Sequence, residues 1–196
     1  MKVLGIIGSP RKGGNTDMLV SEVLKGASRS VLLNVPTIEK IYLDDFQLFP
    51  CKACGKCKTT GVCVQPDDFN LILEKIKEAS AVVLGSPVYC KTVTAQTKIL
   101  IDKIDSSQII VSSTSDGKTK FSRRIRNNKK GVIICIGDLS GLNTVKQSAE
   151  VMRCLFRDLS IEVVDEILAN NIGEKGDVLK NKPILQQAFI SGTKLN

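Results

Sequence analysis

Lys2-Val3-Leu4-Gly5-Ile6-Ile7 runs directly into Gly8-Ser9-Pro10-Arg11-Lys12-Gly13-Gly14-Asn15-Thr16. Residues 2–7 are almost continuously apolar, the pattern of a strand buried on both faces of a parallel sheet. Residues 16–27 then carry Met18, Leu19, Val23 and Leu24 at helical spacing. A strand that passes through a polar glycine-rich loop into a helix makes an anion site, because free N–H groups and the positive end of the helix dipole point at the ligand. The loop is not a Walker A motif, since Gly14-Asn15 stands where Lys-[Ser/Thr] is required, and G-x-G-x-x-G cannot be aligned on it. It offers Ser9, Asn15 and Thr16 with Arg11, a set suited to one phosphate monoester without a metal. An ordinary strand-to-helix turn, capped by Asn15 or Thr16, is the alternative.

The same signature returns further along. Ala81-Val82-Val83-Leu84 is again apolar throughout and ends in Gly85-Ser86-Pro87. Two buried strands that both finish in Gly-Ser-Pro place two loops at one edge of a sheet, where open α/β sheets bind ligands. Pro87 and Tyr89 in the second loop could form a flat wall for an aromatic ring system, although Tyr89 taken alone reads as a half-buried core residue. Further strands are expected at 38–44, 132–136 and 161–168. Helices are expected after Pro66-Asp67-Asp68, with the two acids as caps, and over 95–105, 143–157 and 177–190. Five strands alternating with helices predict a single doubly wound α/β domain, 1–196; a phosphate loop after the first strand and an aromatic-bearing loop after the third fit a flavodoxin-like fold, whose sheet order is 2-1-3-4-5.

After the second strand, residues 46–66 form a cysteine-rich insertion. Cys51, Cys54, Cys57 and Cys63 fall in one short stretch as C-x2-C-x2-C-x5-C. That is too tight for a zinc ribbon and suits an iron–sulfur cluster, whose thiolates hold the corners of a compact inorganic core. Disulfides, a compact zinc site and free redox-active thiols compete with it. The chain has no His, which removes mixed Cys/His zinc sites and every His-based mechanism. Cys135 and Cys154 lie on apolar elements and read as core residues.

The chain has 196 residues and a net charge of +8. No apolar run reaches a membrane span, and the N-terminal run is broken at once by Gly-Ser-Pro-Arg, so neither a membrane partner nor a signal segment is expected. A cytoplasmic location, with thiols rather than disulfides, is the default. With two Tyr, six Phe and no Trp, and no recognised reading motif, a nucleic-acid partner is not expected. The basic balance concentrates in 107–130, where Lys118, Lys120, Arg123, Arg124, Arg126, Lys129 and Lys130 face a single acid, Asp116. This reads as a solvated surface segment or a docking patch that steers an acidic partner.

The loop from Gly8-Ser9-Pro10-Arg11 through Asn15-Thr16, the four-cysteine loop, and Gly85-Ser86-Pro87-Val88-Tyr89 with the Gln96 to Asp102 helix together resemble the iron–sulfur flavoprotein family. This is a branch of the NADPH-dependent FMN reductase-like proteins with a flavodoxin-like fold. The resemblance covers Gly5 to about Leu168. It implies that Ser9, Arg11, Asn15 and Thr16 hold an FMN phosphate. Ser86, Pro87, Val88 and Tyr89 would contact the flavin, the last three lining its isoalloxazine, and Cys51, Cys54, Cys57 and Cys63 would ligate a [4Fe-4S] cluster. It further implies a homo-oligomer, dimer or tetramer, and a ferredoxin-like electron donor. Cys90 stands where an aromatic or larger side chain would be expected. Two other readings remain open: an NAD(P)H-dependent FMN or quinone reductase with incidental cysteines, and a redox sensor that docks a partner.

Overall fold

The apolar strands lie side by side in one parallel sheet. The computed structural model describes residues 1–29, 35–113, 116, 118–125, 128–138 and 143–195. Strands β1 (Lys2–Ile7), β2 (Thr37–Tyr42), β3 (Ala81–Pro87), β6 (Lys129–Ile136) and β7 (Ile161–Ala169) pair in the order β2-β1-β3-β6-β7. This is the expected 2-1-3-4-5 order, with β6 and β7 as its fourth and fifth strands. The alternation of side chains explains the unbroken apolar runs. Leu4, Ile6, Val82, Leu84, Ile133 and Cys135 face one layer, and Val3, Ile7, Ala81, Val83, Val132 and Ile134 face the other. Helices α1 (Asn15–Arg29) and α6 (Lys182–Thr193) cover the second layer. Helices α3 (Phe69–Glu78), α4 (Ala95–Gln108) and α5 (Asn143–Asp158) cover the first.

The structure departs from the sequence reading in four places. β4 (Ile109–Ser113) and β5 (Thr119–Arg123) pair as an antiparallel hairpin, separate from the main sheet. Both its faces are largely exposed, so no buried periodicity announced it. The fourth sheet strand begins at Lys129 rather than residue 132, and Lys129 is buried, its ammonium donating to the carbonyls of Ile76 and Lys77 at the end of α3. The last helix is a 3-10 turn, Asp177–Lys180, followed by α6, which restarts where Pro183 needs no N–H partner and Asn181 accepts from the Ile184 N–H. Asp68 does not cap α3 with its side chain; Asp67 accepts the Phe69 N–H instead. Among the described residues no helix is long and apolar enough to cross a membrane.

Candidate functional site

The β1 and β3 loops meet as expected. The Gly8 N–H donates to Gly85 O at 2.7 Å, and Thr94 Oγ1 donates to Gly8 O at 2.7 Å. A Cβ on Gly8 would lie 2.0 Å from Thr97 Oγ1, so only glycine lets the chain pass beneath α4 here. Gly13 has φ +67, and its N–H donates to Asp17 Oδ2. Asp17 also accepts from Lys40 Nζ and Tyr42 Oη, both at 2.7 Å, which ties the loop to β2. Burial works against the Asp17 carboxylate, but the bonds from Lys40, Tyr42 and Gly13 outweigh it and hold it below the usual carboxylate range.

Beyond the strand ends lies a cavity of about 520 Å³, inside the usual size of cofactor pockets. Ser9, Arg11, Asn15, Thr16, Pro87, Val88 and Tyr89 all border it. Ser86 lies beneath this wall, fully buried, with its hydroxyl donating to Pro87 O and accepting from the Thr94 N–H. The Asn15 side chain points to a third loop. Its amide donates to Glu174 O at 2.7 Å, and its oxygen accepts from the N–H groups of Gly176 and Val178. That loop, with Asn171, Gly173, Lys175 and Asp177, closes the pocket and was missed from sequence. Its signal was the glycine-containing polar run after β7, the same punctuation that follows β1 and β3. Tyr89 is 43% exposed at the start of a tight turn whose central residues, Cys90 and Lys91, both have positive φ. Cys90 is exposed on that turn.

The cysteine loop joins β2 to α3 and is cinched at its neck. Asp68 accepts the Gln47 N–H and Asp67 accepts the Phe49 N–H, both at 2.8 Å. Lys103, buried on α4, pairs with the buried Asp67. Inside the loop, Cys57–Thr60 forms a single helical turn, α2, closed by Gly61 at φ +77. Arg124, from the strand end after β5, braces it. Its guanidinium donates to Lys58 O and Ser107 O, while Gln108 donates to Gly61 O.

All seven cysteines are free thiols. Cys51, Cys54, Cys57 and Cys63 border one cavity of about 920 Å³ between their loop, the hairpin and the end of α5. Cys51 Sγ lies 3.4 Å from Ser106 Oγ, and the Cys57 thiol donates to Ser106 O at 3.3 Å. Burial pushes the Cys57 thiol up, and the neighbouring sulfurs of Cys63, Cys51 and Cys54 add in the same direction. Among the described residues no three His, Cys, Asp or Glu side chains stand close enough to hold one ion. The thiols share a cavity without converging on one point.

The basic segment is dispersed. Lys120 and Arg123 border the cysteine cavity, joined there by Lys52, Lys58 and Arg157. Arg124 and Lys129 face inward, Lys118 pairs with Asp116 and Lys130 donates to Lys194 O. Arg126 lies outside the described residues. Part of the basic segment therefore joins a cationic rim drawn from several elements.

A five-stranded parallel sheet in this order, with a pocket at its switch point, defines the flavodoxin-like class of α/β proteins. The family model for NADPH-dependent FMN reductases matches residues 1–165, and the chain belongs to that family. An iron–sulfur flavoprotein of Methanocaldococcus jannaschii is 47% identical over 103 residues, 53% of this chain and 51% of the relative. One from Methanosarcina thermophila is 35% identical over 103 residues, 53% of this chain and 52% of that one. The chain spans about half the length of these relatives. Among solved structures, an NAD(P)H:quinone oxidoreductase from Methanothermobacter marburgensis superposes with TM-score 0.73 at 18% identity, over 100% of this chain and 99% of that one.

Proposed function

We propose that this chain is a flavin-dependent oxidoreductase that holds FMN in the pocket between the β1 and β3 loops and a [4Fe-4S] cluster on Cys51, Cys54, Cys57 and Cys63. The observation that carries the flavin reading is the meeting of the Gly8–Thr16 loop and the Pro87–Tyr89 wall in one pocket at the sheet's carboxyl edge. Ser9, Arg11 and the N–H groups at the start of α1 would bind the phosphate, and Pro87, Val88 and Tyr89 would lie against the ring. The cluster reading rests on four thiols, spaced C-x2-C-x2-C-x5-C, that border one cavity. A cluster takes its thiolates on separate corners rather than through one shared ion, so an open arrangement fits it better than it fits zinc. Bound there, the cluster would supply one-electron steps and FMN the capacity to store two.

The relatives named iron–sulfur flavoprotein support this assignment, and a ferredoxin-like donor would suit the rim of Lys52, Lys58, Lys120, Arg123 and Arg157. Val111 and Phe121, both exposed, put apolar surface on the hairpin beside that rim, which supports assembly with further copies of this chain. The deciding test is metal and sulfide analysis with a visible spectrum on protein purified without oxygen. About four irons per chain beneath flavin bands are expected; flavin with little iron would sink the cluster. The second reading, an NAD(P)H-dependent FMN or quinone reductase with incidental cysteines, is favoured by the family match and by the quinone oxidoreductase likeness. It requires that NAD(P)H reduce bound FMN in iron-free protein.

A further inference from the structure

We infer that Lys175 is a phosphate-binding residue of the pocket between the β1 and β3 loops, carried there by Asn15, and that it makes the site select phosphorylated over unphosphorylated flavin. The inference rests on the flavin reading above and adds a residue far from the phosphate loop in sequence.

The geometry begins with Asn15, which is buried at the first turn of α1. All three of its side-chain bonds go to the backbone of one loop, at Glu174, Gly176 and Val178. A side chain so occupied is directed at the loop rather than at a ligand's phosphate. It fixes the 174–178 loop against the start of α1, with Gly176 supplying the turn at φ +93. Lys175 is the residue between two of the anchor points. Its ammonium donates to Lys12 O at 3.2 Å, and a Cβ built on Gly13 would sit 3.6 Å from that ammonium. A cation is thus held over the strand-to-helix loop, and it borders the same cavity as Arg11.

Among the described residues, the other charged groups bordering the pocket are acids. Asp177 is engaged by Lys180 and by the Glu174 N–H, and Asp138 lies beside Gly173. Glu174 is exposed on the same loop. An anion entering this pocket therefore has Arg11 and Lys175 as its cationic partners, and Lys175 offsets the acids Glu174 and Asp177 that flank it on the same loop. Without Lys175 the pocket's bordering side chains would carry three acids against one cation.

Equilibrium binding of FMN and of riboflavin, read by quenching of flavin fluorescence, tests this on the full chain at low salt. Lys175→Gln should weaken FMN about tenfold, the usual size of one charge-assisted contact, and leave riboflavin within about twofold. Lys175→Arg should keep most of the FMN affinity. Lys182→Gln, the same charge change at an exposed position outside the pocket, should match wild type. FMN binding unchanged in Lys175→Gln, or an equal loss for both flavins, would overturn the assignment while leaving the flavin pocket intact. Failure of the wild-type chain to bind either flavin would overturn the pocket's reading and this inference with it.

Discussion

The two loops that follow β1 and β2 are built in opposite ways. The Gly8–Thr16 loop is fastened along its length: Gly8 to Gly85 and Thr94, Gly13 to Asp17, Asn15 to the 174–178 loop. The cysteine loop is fastened at its neck by Asp67 and Asp68, at its far end by Asn70, which bonds both backbone groups of Cys63, and at one turn by Arg124 and Gln108, but its thiols make only weak contacts, to Ser106 and to the Ala53 N–H. On the proposed reading, the difference teaches what each loop needs. A phosphate is recognised by N–H groups already in place, so its loop is rigid beforehand. Thiolates repel one another, so a loop that gathers them can close only around the group that neutralises them.

The sharpest way to break that contrast is at the neck. Asp67→Ala would leave Lys103 buried without its partner and should cost about 3–5 kcal/mol in urea unfolding. A cost under about 1 kcal/mol would mean the neck does not hold the loop. Gly8→Ala comes next. Its methyl would strike Thr97 Oγ1, and a loss of about 1–3 kcal/mol is expected, with flavin binding lost beside it. An alanine variant as stable as wild type would show the phosphate loop to be softer than its bonds suggest.

Arg124→Ala sharpens the contrast. It should cost about 1–2 kcal/mol and speed amide exchange at residues 57–63, with residues 8–16 unchanged; equal speeding of both would refute a local brace. The smallest effect concerns acid. The folded pKa of Asp17 is depressed, so its contribution is present above the unfolded carboxylate value of about 3.9 and is lost as pH falls through the lower folded value. Asp17→Asn should therefore be less stable than wild type at neutral pH, by on the order of 1 kcal/mol, with the gap closing as pH falls below about 4. A gap constant from neutral to strongly acid pH would remove Asp17 as the loop's anchor.

The sheet was legible because strands buried on both faces must be apolar at every position, as Val3 to Ile7 and Ala81 to Leu84 are. The pocket was partly legible. Ser9, Arg11, Asn15, Thr16 and Pro87 to Tyr89 come together at one pocket, with the Asn15 side chain bonded to the 174–178 loop that closes it and Ser86 lying beneath. Short spacing shows that residues share a loop, not which way each side chain points. The hairpin was missed because Thr119 to Arg123 alternate without burying a face. Lys129 was misread because charge alone cannot announce that a carbonyl-lined helix end will receive it. Lys175 was invisible because it stands near the far end of the chain from its pocket partners, and only the fold brings it back.

The closure of Gln47 onto Asp68 has one more consequence. The Asp68 N–H donates to Gln47 O, and the Gln47 N–H donates to the Asp68 side chain. The chain leaves and re-enters the α/β body through one doorway, so the cost of closing the ring grows only slowly with its contents. Whatever lies between those residues is a cartridge. A lineage can lengthen it, shorten it or exchange its chemistry while the scaffold keeps its registers, so on the proposed reading a two-electron catalyst could acquire or lose a one-electron entry port by a single insertion or deletion.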